Sequence, residues 1–253
     1  MGSRIFVDAP LAAQAEFELP GGPARHVQVL RLQPGAALRL FDGRGGEWEA
    51  LVTHMGRSEV RVRVGAHDSV DRELARRVTL AIGVPANERM DALVEKATEL
   101  GAAEIVALMC ERAVLRLQGE RAAKRLAHWR GVAIAACEQS GRTRIPQLPP
   151  VATLADWLRS LPAVDASPSP ARWLLSPLPG AIGVGSAIAA LAPDRSAPIC
   201  ILSGPEGGLS VDEQSLARRA GFTPVSLGPR ILRADTAPLA ALAALAALAS
   251  LAA

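Results

Sequence analysis

From Val78 onward, apolar runs of strand length alternate with segments of helical period, and this alternation limits the fold more than any other feature. "VTLAIGVP" is a continuous apolar run, as suits a strand buried on both faces. In "ERMDALVEKATEL" the residues Met90, Leu93, Val94, Ala97 and Leu100 fall on one helix face, with Asn87 placed to cap the helix and Gly101 to end it. "EIVALM" reads as the next strand, and a long helix is expected from about Glu120 to Ser140. A Pro/Ser-rich surface connection follows at 160–171, and then "RWLLSP", "APICILSG" and "TPVSLG" as short strands. Such an order specifies an α/β fold with a mostly parallel sheet flanked by helices. The first seventy residues read differently. "ALRLFDG", "EWEALVTHM" and "EVRVRVGAH" alternate or run apolar between the turn signals "QPG", "DGRGG" and "MGRS", which predicts a small β-barrel or sandwich. The pattern changes near Asp71–Arg77, dividing the chain into residues 1–72 and 73–253.

Charge and cysteine usage narrow the partners. There is no Tyr, and Phe and Trp number four each, so an aromatic platform for stacked bases is not expected. Lys96 and Lys124 are the only lysines; the Arg bias suits phosphate binding and equally suits a GC-rich genome. The basic excess lies between Arg112 and Arg144, where eight bases face only Glu120 and Glu138. That stretch is either a polyanion-binding patch or a solvated helix face. Cys110, Cys137 and Cys200 are far apart and lack any CxxC spacing, so neither a disulfide framework nor a metal site is expected. "MGSRIFVDAP" has no apolar signal core, and a cytoplasmic location follows as the expectation. The tail "PLAALAALAALASLAA" is too short and too alanine-rich to be expected to span a membrane. Its leucines recur every third residue and drift around the helix, so it is expected to be buried in a core or against a partner subunit.

Two loops near the carboxyl end are candidates for chemistry. In "ILSGPEGGLSVDEQ" an apolar strand ends at Gly204, Pro205 fixes φ, and Gly207 and Gly208 allow positive φ or close backbone approach. Ser210 and Glu213 form a capping box that starts a helix. The loop lacks the Gly-Lys-Ser/Thr of a Walker loop and the spacing of a dinucleotide fingerprint, and Glu206 would repel a pyrophosphate. It sits where open α/β sheets bind ligands, at a strand's carboxyl end, although an ordinary strand-to-helix turn would look the same. The second loop, "VSLGPRILRADTAPLAAL", places Arg233 and Asp235 around an apolar pair just before the terminal helix. Asp235 or Thr236 would serve equally as a plain helix cap.

Together the two loops resemble the carboxyl-terminal signature of the SPOUT superfamily of S-adenosylmethionine-dependent RNA methyltransferases, and most closely the family that methylates N3 of a uridine in 16S ribosomal RNA. "HVQVLRLQPG", "LFDGRG", "ERMDALVEKATELGAAEI", Glu111–Arg112 and "EQSGRTRIP" are similar to the same family in order, so the resemblance spans nearly the whole chain. It implies a PUA-like RNA-binding β-barrel over 1–72 and a methyltransferase domain over 73–253, with a cofactor-binding trefoil knot in about 172–253. It implies a homodimer, 16S rRNA of the small ribosomal subunit as partner, and no metal. Carried over by motif, the S-adenosylmethionine contacts are Leu202, Gly204, Glu206, Gly207 and Gly208, then Leu227, Gly228, Ile231, Leu232 and Arg233, with Leu175 and Ser176 from "RWLLS". RNA contacts are expected at His26, Arg31, Arg112 and Arg142, and catalytic roles at Arg233 and Asp235. The chain departs from the family's pattern in having Asp235 for the usual Glu and Ala86 for a basic residue. A methyltransferase for another rRNA or tRNA nucleotide, and an RNA-binding assembly factor without catalysis, are the competing readings.

Overall fold

The structure, a computed structural model, describes residues 3–57, 59–86, 89–163, 170–191 and 197–250. Its chain divides into two compact units, residues 1–73 with 134–145, and residues 74–133 with 146–253.

The first unit contains β1 (Arg4–Phe6), β2 (Glu16–Glu18), α1 (Gly21–Val29), β3 (Ala37–Phe41), β4 (Glu47–Met55) and β5 (Val60–Asp68). Its sheet order is β1-β3-β4-β5-β2, antiparallel except where β1 runs parallel to β3. The alternation read from β5 is real: Val60, Val62 and Val64 point into the core while Arg61 and Arg63 are exposed. Those valines pack with Ile5, Leu38, Leu40, Ala50 and Val52, and with Ala24 and Val27 of α1.

Helix α1 corrects the all-β expectation for this region. It starts at Pro20 with no side-chain cap and buries only Ala24 and Val27. Two apolar anchors are too few to reveal a helical period. A second correction concerns residues 134–145, expected within the second domain. They pack in the first unit, where the Arg4 guanidinium donates to the carbonyls of Cys137 at 2.6 Å and Arg142 at 3.1 Å. Arg4 is itself neutralised by Glu47 at 2.9 Å; both side chains are buried, so the pairing offsets the cost of removing each charge from water.

The second unit comprises β6 (Val78–Gly83), α2 (Arg89–Glu99), β7 (Glu104–Met109), α3 (Gly119–Ser140, whose last turns belong to the first unit), β8 (Ala152–Thr153), α4 (Leu154–Ser160), β9 (Ala171–Leu175), β10 (Ile182–Gly183), α5 (Val184–Ala189), β11 (Ile199–Ser203), α6 (Val211–Arg219), β12 (Thr223–Ser226) and α7 (Thr236–Ser250). Among the described residues the strands form one seven-stranded sheet, parallel throughout, in the order β10-β12-β9-β11-β6-β7-β8. Helix α2 buries Met90, Leu93, Val94 and Ala97 on the expected face, and Gly101 closes it at φ +95°. Asn87 lies outside the described residues, as do residues 164–169 of the Pro/Ser-rich connection. Helix α7 packs on α2, β6 and β11, burying Ala241 and Leu242. Leu239 and Leu245 stay partly exposed and Leu248 is 40% exposed, so one side of this apolar helix is left uncovered by its own chain. Among the described residues no helix is long and apolar enough to cross a membrane.

Cys110, Cys137 and Cys200 are buried free thiols, and burial pushes each up to about 12 from an ordinary value of 9.0. A raised folded-state value means that the unfolded chain releases these protons first as pH rises. Their contribution to stability is therefore complete below about pH 9 and is lost progressively between about 9 and 12. Equilibrium unfolding followed against pH should show this alkaline loss, and replacing the three cysteines by alanine should reduce its steepness.

Candidate cofactor and RNA site

Three strand ends and the loops after them converge on one cleft in the second unit, about 580 Å³ in volume. It opens at the carboxyl ends of β9, β11 and β12, which adjoin in the sheet. From the end of β9 comes Leu175 and from just after it Ser176; from the loop after β11 come Gly204, Pro205, Glu206 and Gly208; from the loop after β12 come Leu227, Gly228, Arg230, Ile231, Leu232 and Arg233. A volume of this size lies within the roughly 300–1,000 Å³ usual for small-molecule sites.

The glycine loop owes its shape to three different demands. Gly208 adopts φ +68°, and its amide donates to the Pro205 carbonyl at 2.8 Å. Gly204 and Gly207 instead allow close approach: a Cβ on Gly204 would lie 3.0 Å from the Leu209 amide nitrogen, and one on Gly207 would lie 3.1 Å from Arg112 Cβ. Ser210 and Glu213 make the expected capping box, with Ser210 Oγ accepting from the Glu213 amide at 3.2 Å. Glu213 does more than cap, because its Oε1 accepts from the Glu111 amide at 2.7 Å. The buried carboxylate thus ties the loop after β7 to the start of α6, beside the cleft.

Polar groups around the cleft are held in place. Both oxygens of Glu206 accept from the Ala86 amide at 3.1 Å, and Arg89 Nη1 approaches at 3.5 Å. Arg112 donates to the Gly207 carbonyl at 3.2 Å. Ser176 Oγ accepts from the Leu178 amide, and Ser226 Oγ from the Gly228 amide, so both hydroxyls are used in turns. Four arginines line the cleft, Arg89, Arg112, Arg230 and Arg233, against one already paired carboxylate. Its charge balance is therefore positive.

The structure does not bring every expected residue to the cleft. Leu202 is completely buried within β11, paired with Ala81 and Leu174 on the neighbouring strands, so its side chain belongs to the core. Gly207 packs on Arg112 and is not part of the cleft wall. Asp235 is also off the wall, although Ala234 and Ala237 on either side are on it. The Arg233 carbonyl accepts from the amides of Thr236 and Ala237 at 3.0 Å and so anchors the start of α7, while the Asp235 carboxylate takes only a long contact of 3.5 Å from the Thr236 hydroxyl.

Of the residues expected to meet RNA, Arg112 is exposed on the cleft rim and Arg31 is exposed in the first unit, just after α1, with φ +54°. His26 is on α1, with Nδ1 3.4 Å from Glu138 Oε2. Arg142 is a correction: it is 3% exposed and forks onto Glu73, with Nε 3.1 Å from Oε1. Breaking such a buried pair would be needed before that guanidinium could reach a phosphate. Sequence reasoning missed Arg89 and Arg230 on the cleft, and also Gly83 beneath it. Arg230 stood inside the quoted "GPRILR", but nothing in the pattern separated it from Arg233. Among the described residues no cluster of three potential metal ligands occurs.

Comparison with known proteins bears on this geometry. A family model described as an RNA methyltransferase domain matches residues 72–246, and one described as an RNA methyltransferase PUA domain matches residues 19–65. The ribosomal RNA small subunit methyltransferase E of Synechocystis is 34% identical over 94% of this chain and 75% of its own length. This chain belongs to the ribosomal RNA small subunit methyltransferase E family. The family's enzyme from Bacillus subtilis is 32% identical over 88% of the chain and 86% of its own. The family's enzyme from Neisseria gonorrhoeae, solved with S-adenosylmethionine bound, superposes with a TM-score of 0.88 at 33% identity, over 98% of both chains. A methyltransferase from Legionella pneumophila, also solved with that cofactor, gives 0.88 at 32% identity over 98% of both chains. The first unit thus carries the family's PUA domain and the parallel α/β sheet its methyltransferase domain.

Proposed function

We propose that this family member transfers a methyl group from S-adenosylmethionine to N3 of a specific uridine in 16S ribosomal RNA of the small subunit. The observation that carries the reading is the cleft itself: glycine backbone at Gly204, where a side chain would collide with Leu209, and at Gly208 with its positive φ, apolar walls from Leu175, Leu227, Ile231 and Leu232, and a rim of arginines. Those residues fit the cofactor, since the apolar walls suit an adenine ring and the backbone groups of the two loops suit its polar edges. When bound, S-adenosylmethionine supplies a methyl group already activated as a sulfonium. The residues of this chain then have two tasks, to place the acceptor and to favour its deprotonated form.

Arg233, exposed on the cleft wall, is suited to compensate the negative charge that develops on the uracil ring as N3 loses its proton. Asp235 lies just before α7, two residues on, where it either accepts that proton or orients Arg233. Turnover of Asp235→Asn measured across pH distinguishes these tasks: a base role predicts a loss of about 10²-fold that varies with pH. Unchanged turnover at every pH would exclude both. Arg89, Arg112 and Arg230 give the cleft mouth the sign required by RNA phosphates.

Two finer features belong to the same proposal. The sheet order supports a trefoil knot, because β12 enters between β9 and β10, strands the chain formed before it left to build β11 and α6. The uncovered apolar side of α7 supports a homodimer, since a second copy would remove Leu245 and Leu248 from water. Incubation with methyl-labelled cofactor and either isolated small subunits or naked 16S RNA tests the activity. Label in the RNA is expected. Cofactor binding without label in either substrate would favour a silent RNA-binding factor.

A further inference from the structure

Glu138 is placed to set the hydrogen-bonding state of His26, and this inference rests on the proposed contact of His26 with RNA. Both residues lie in the first unit. The Phe6 amide donates to Glu138 Oε1 at 2.9 Å, which commits that oxygen to β1. The remaining oxygen, Oε2, lies 3.4 Å from His26 Nδ1. Arg4 fixes the surrounding backbone through the Cys137 and Arg142 carbonyls. The Glu138 side chain is only 15% exposed, so turning it away would strand a backbone amide at a cost. A carboxylate oxygen this close to Nδ1 repels a lone pair there and favours the ring form that carries its hydrogen on Nδ1. In the neutral ring Nε2 is then a lone-pair acceptor. The His26 side chain is 40% exposed, so the ring is partly open to solvent and to a ligand.

We infer that Glu138 is a positioning residue that holds His26 as the Nδ1–H tautomer, so that Nε2 accepts a hydrogen bond from a donor of the RNA. The donors RNA offers are ribose 2′-hydroxyls and base N–H groups; a phosphate has none. The arrangement therefore makes His26 a contact that reads RNA as RNA, unlike the arginines, which answer to charge.

Glu138→Gln separates this from a merely structural role. Its amide oxygen can keep the Phe6 hydrogen bond while its NH₂ group faces Nδ1, which reverses the tautomer and turns Nε2 into a donor. Ring ¹⁵N shifts at pH 8 should show Nδ1–H in the native protein and Nε2–H in the variant, with the melting temperature nearly unchanged. Binding of naked 16S RNA should weaken about tenfold in Glu138→Gln and by a similar factor in His26→Ala, the scale of one lost hydrogen bond to an oriented group. The double variant should be no weaker than either single one. The slope of log affinity against log salt should stay native in all three, because no phosphate contact is removed. A slope lower by about one in His26→Ala would make His26 a phosphate contact and overturn the acceptor role. Native affinity in Glu138→Gln alone would overturn the positioning role, whereas native affinity in His26→Ala would overturn the RNA contact on which it rests.

Discussion

Replacing Arg233 by alanine is expected to lower turnover about 10²-fold or more while changing cofactor affinity by less than about threefold. A cation aimed at charge developing in the transition state acts on the chemical step, and removal of one such group commonly costs about 10²–10³ in rate. Arg233 lines the cleft with Arg230, three residues away, so the positive charge of the mouth partly survives the substitution and RNA capture persists. Arg233→Lys should recover part of the rate, because an ammonium keeps the charge and loses the planar fork. Single-turnover rates at saturating RNA, with cofactor affinity measured separately by calorimetry, check both halves. Collapse of cofactor affinity with a native single-turnover rate would make Arg233 a wall of the cofactor seat and not a catalytic residue.

The second large effect is expected at a residue that touches no ligand. Gly83 ends β6, and a Cβ there would lie 2.5 Å from Pro205 Cδ and 2.6 Å from Pro205 N, with Cys110 Sγ at 3.0 Å. Backbone and a buried thiol cannot both give way, so Gly83→Ala must push the glycine loop off its seat. Such overpacking costs about 1–3 kcal/mol of stability. Because the same loop lines the cleft, cofactor affinity should fall more than tenfold and the melting temperature should drop as well. Calorimetry with S-adenosylmethionine and a thermal melt report the two effects. Native cofactor affinity in a destabilised Gly83→Ala protein would show that the loop can shift without altering the site.

Gly83 also marks how far the sequence could be read. The apolar run "VTLAIGVP" gave the strand, its burial and its parallel setting, because a strand covered on both faces must be apolar throughout. It could not show that Pro205, over a hundred residues later, would lie against its last residue. Sheet order is the missing information: β6 neighbours β11, and β12 slips between β9 and β10, and neither adjacency follows from local periodicity. The same gap explains the misplacements at the site. "GPEGG" and "GPRILR" identified the two loops that build the cleft, yet Leu202 and Arg142 were assigned to ligands that their burial denies them. Arg142 looked like one more base in a basic stretch, and only the return of residues 134–145 to the first unit brings Glu73 beside it. Helix α1 escaped notice for the opposite reason, having too little apolar face to show a period.

Methylation of N3 of a uridine in 16S RNA by this cleft is tested most directly by identifying the product. RNA from small subunits lacking the modification would be treated with the protein and S-adenosylmethionine, digested to nucleosides and analysed by mass spectrometry. 3-Methyluridine is expected as the one new methylated nucleoside, at about a hundredth of the native amount or less when Arg233→Ala replaces the native protein in an early, linear time course. A different methylated nucleoside, or 3-methyluridine formed equally well by Arg233→Ala, would contradict that expectation.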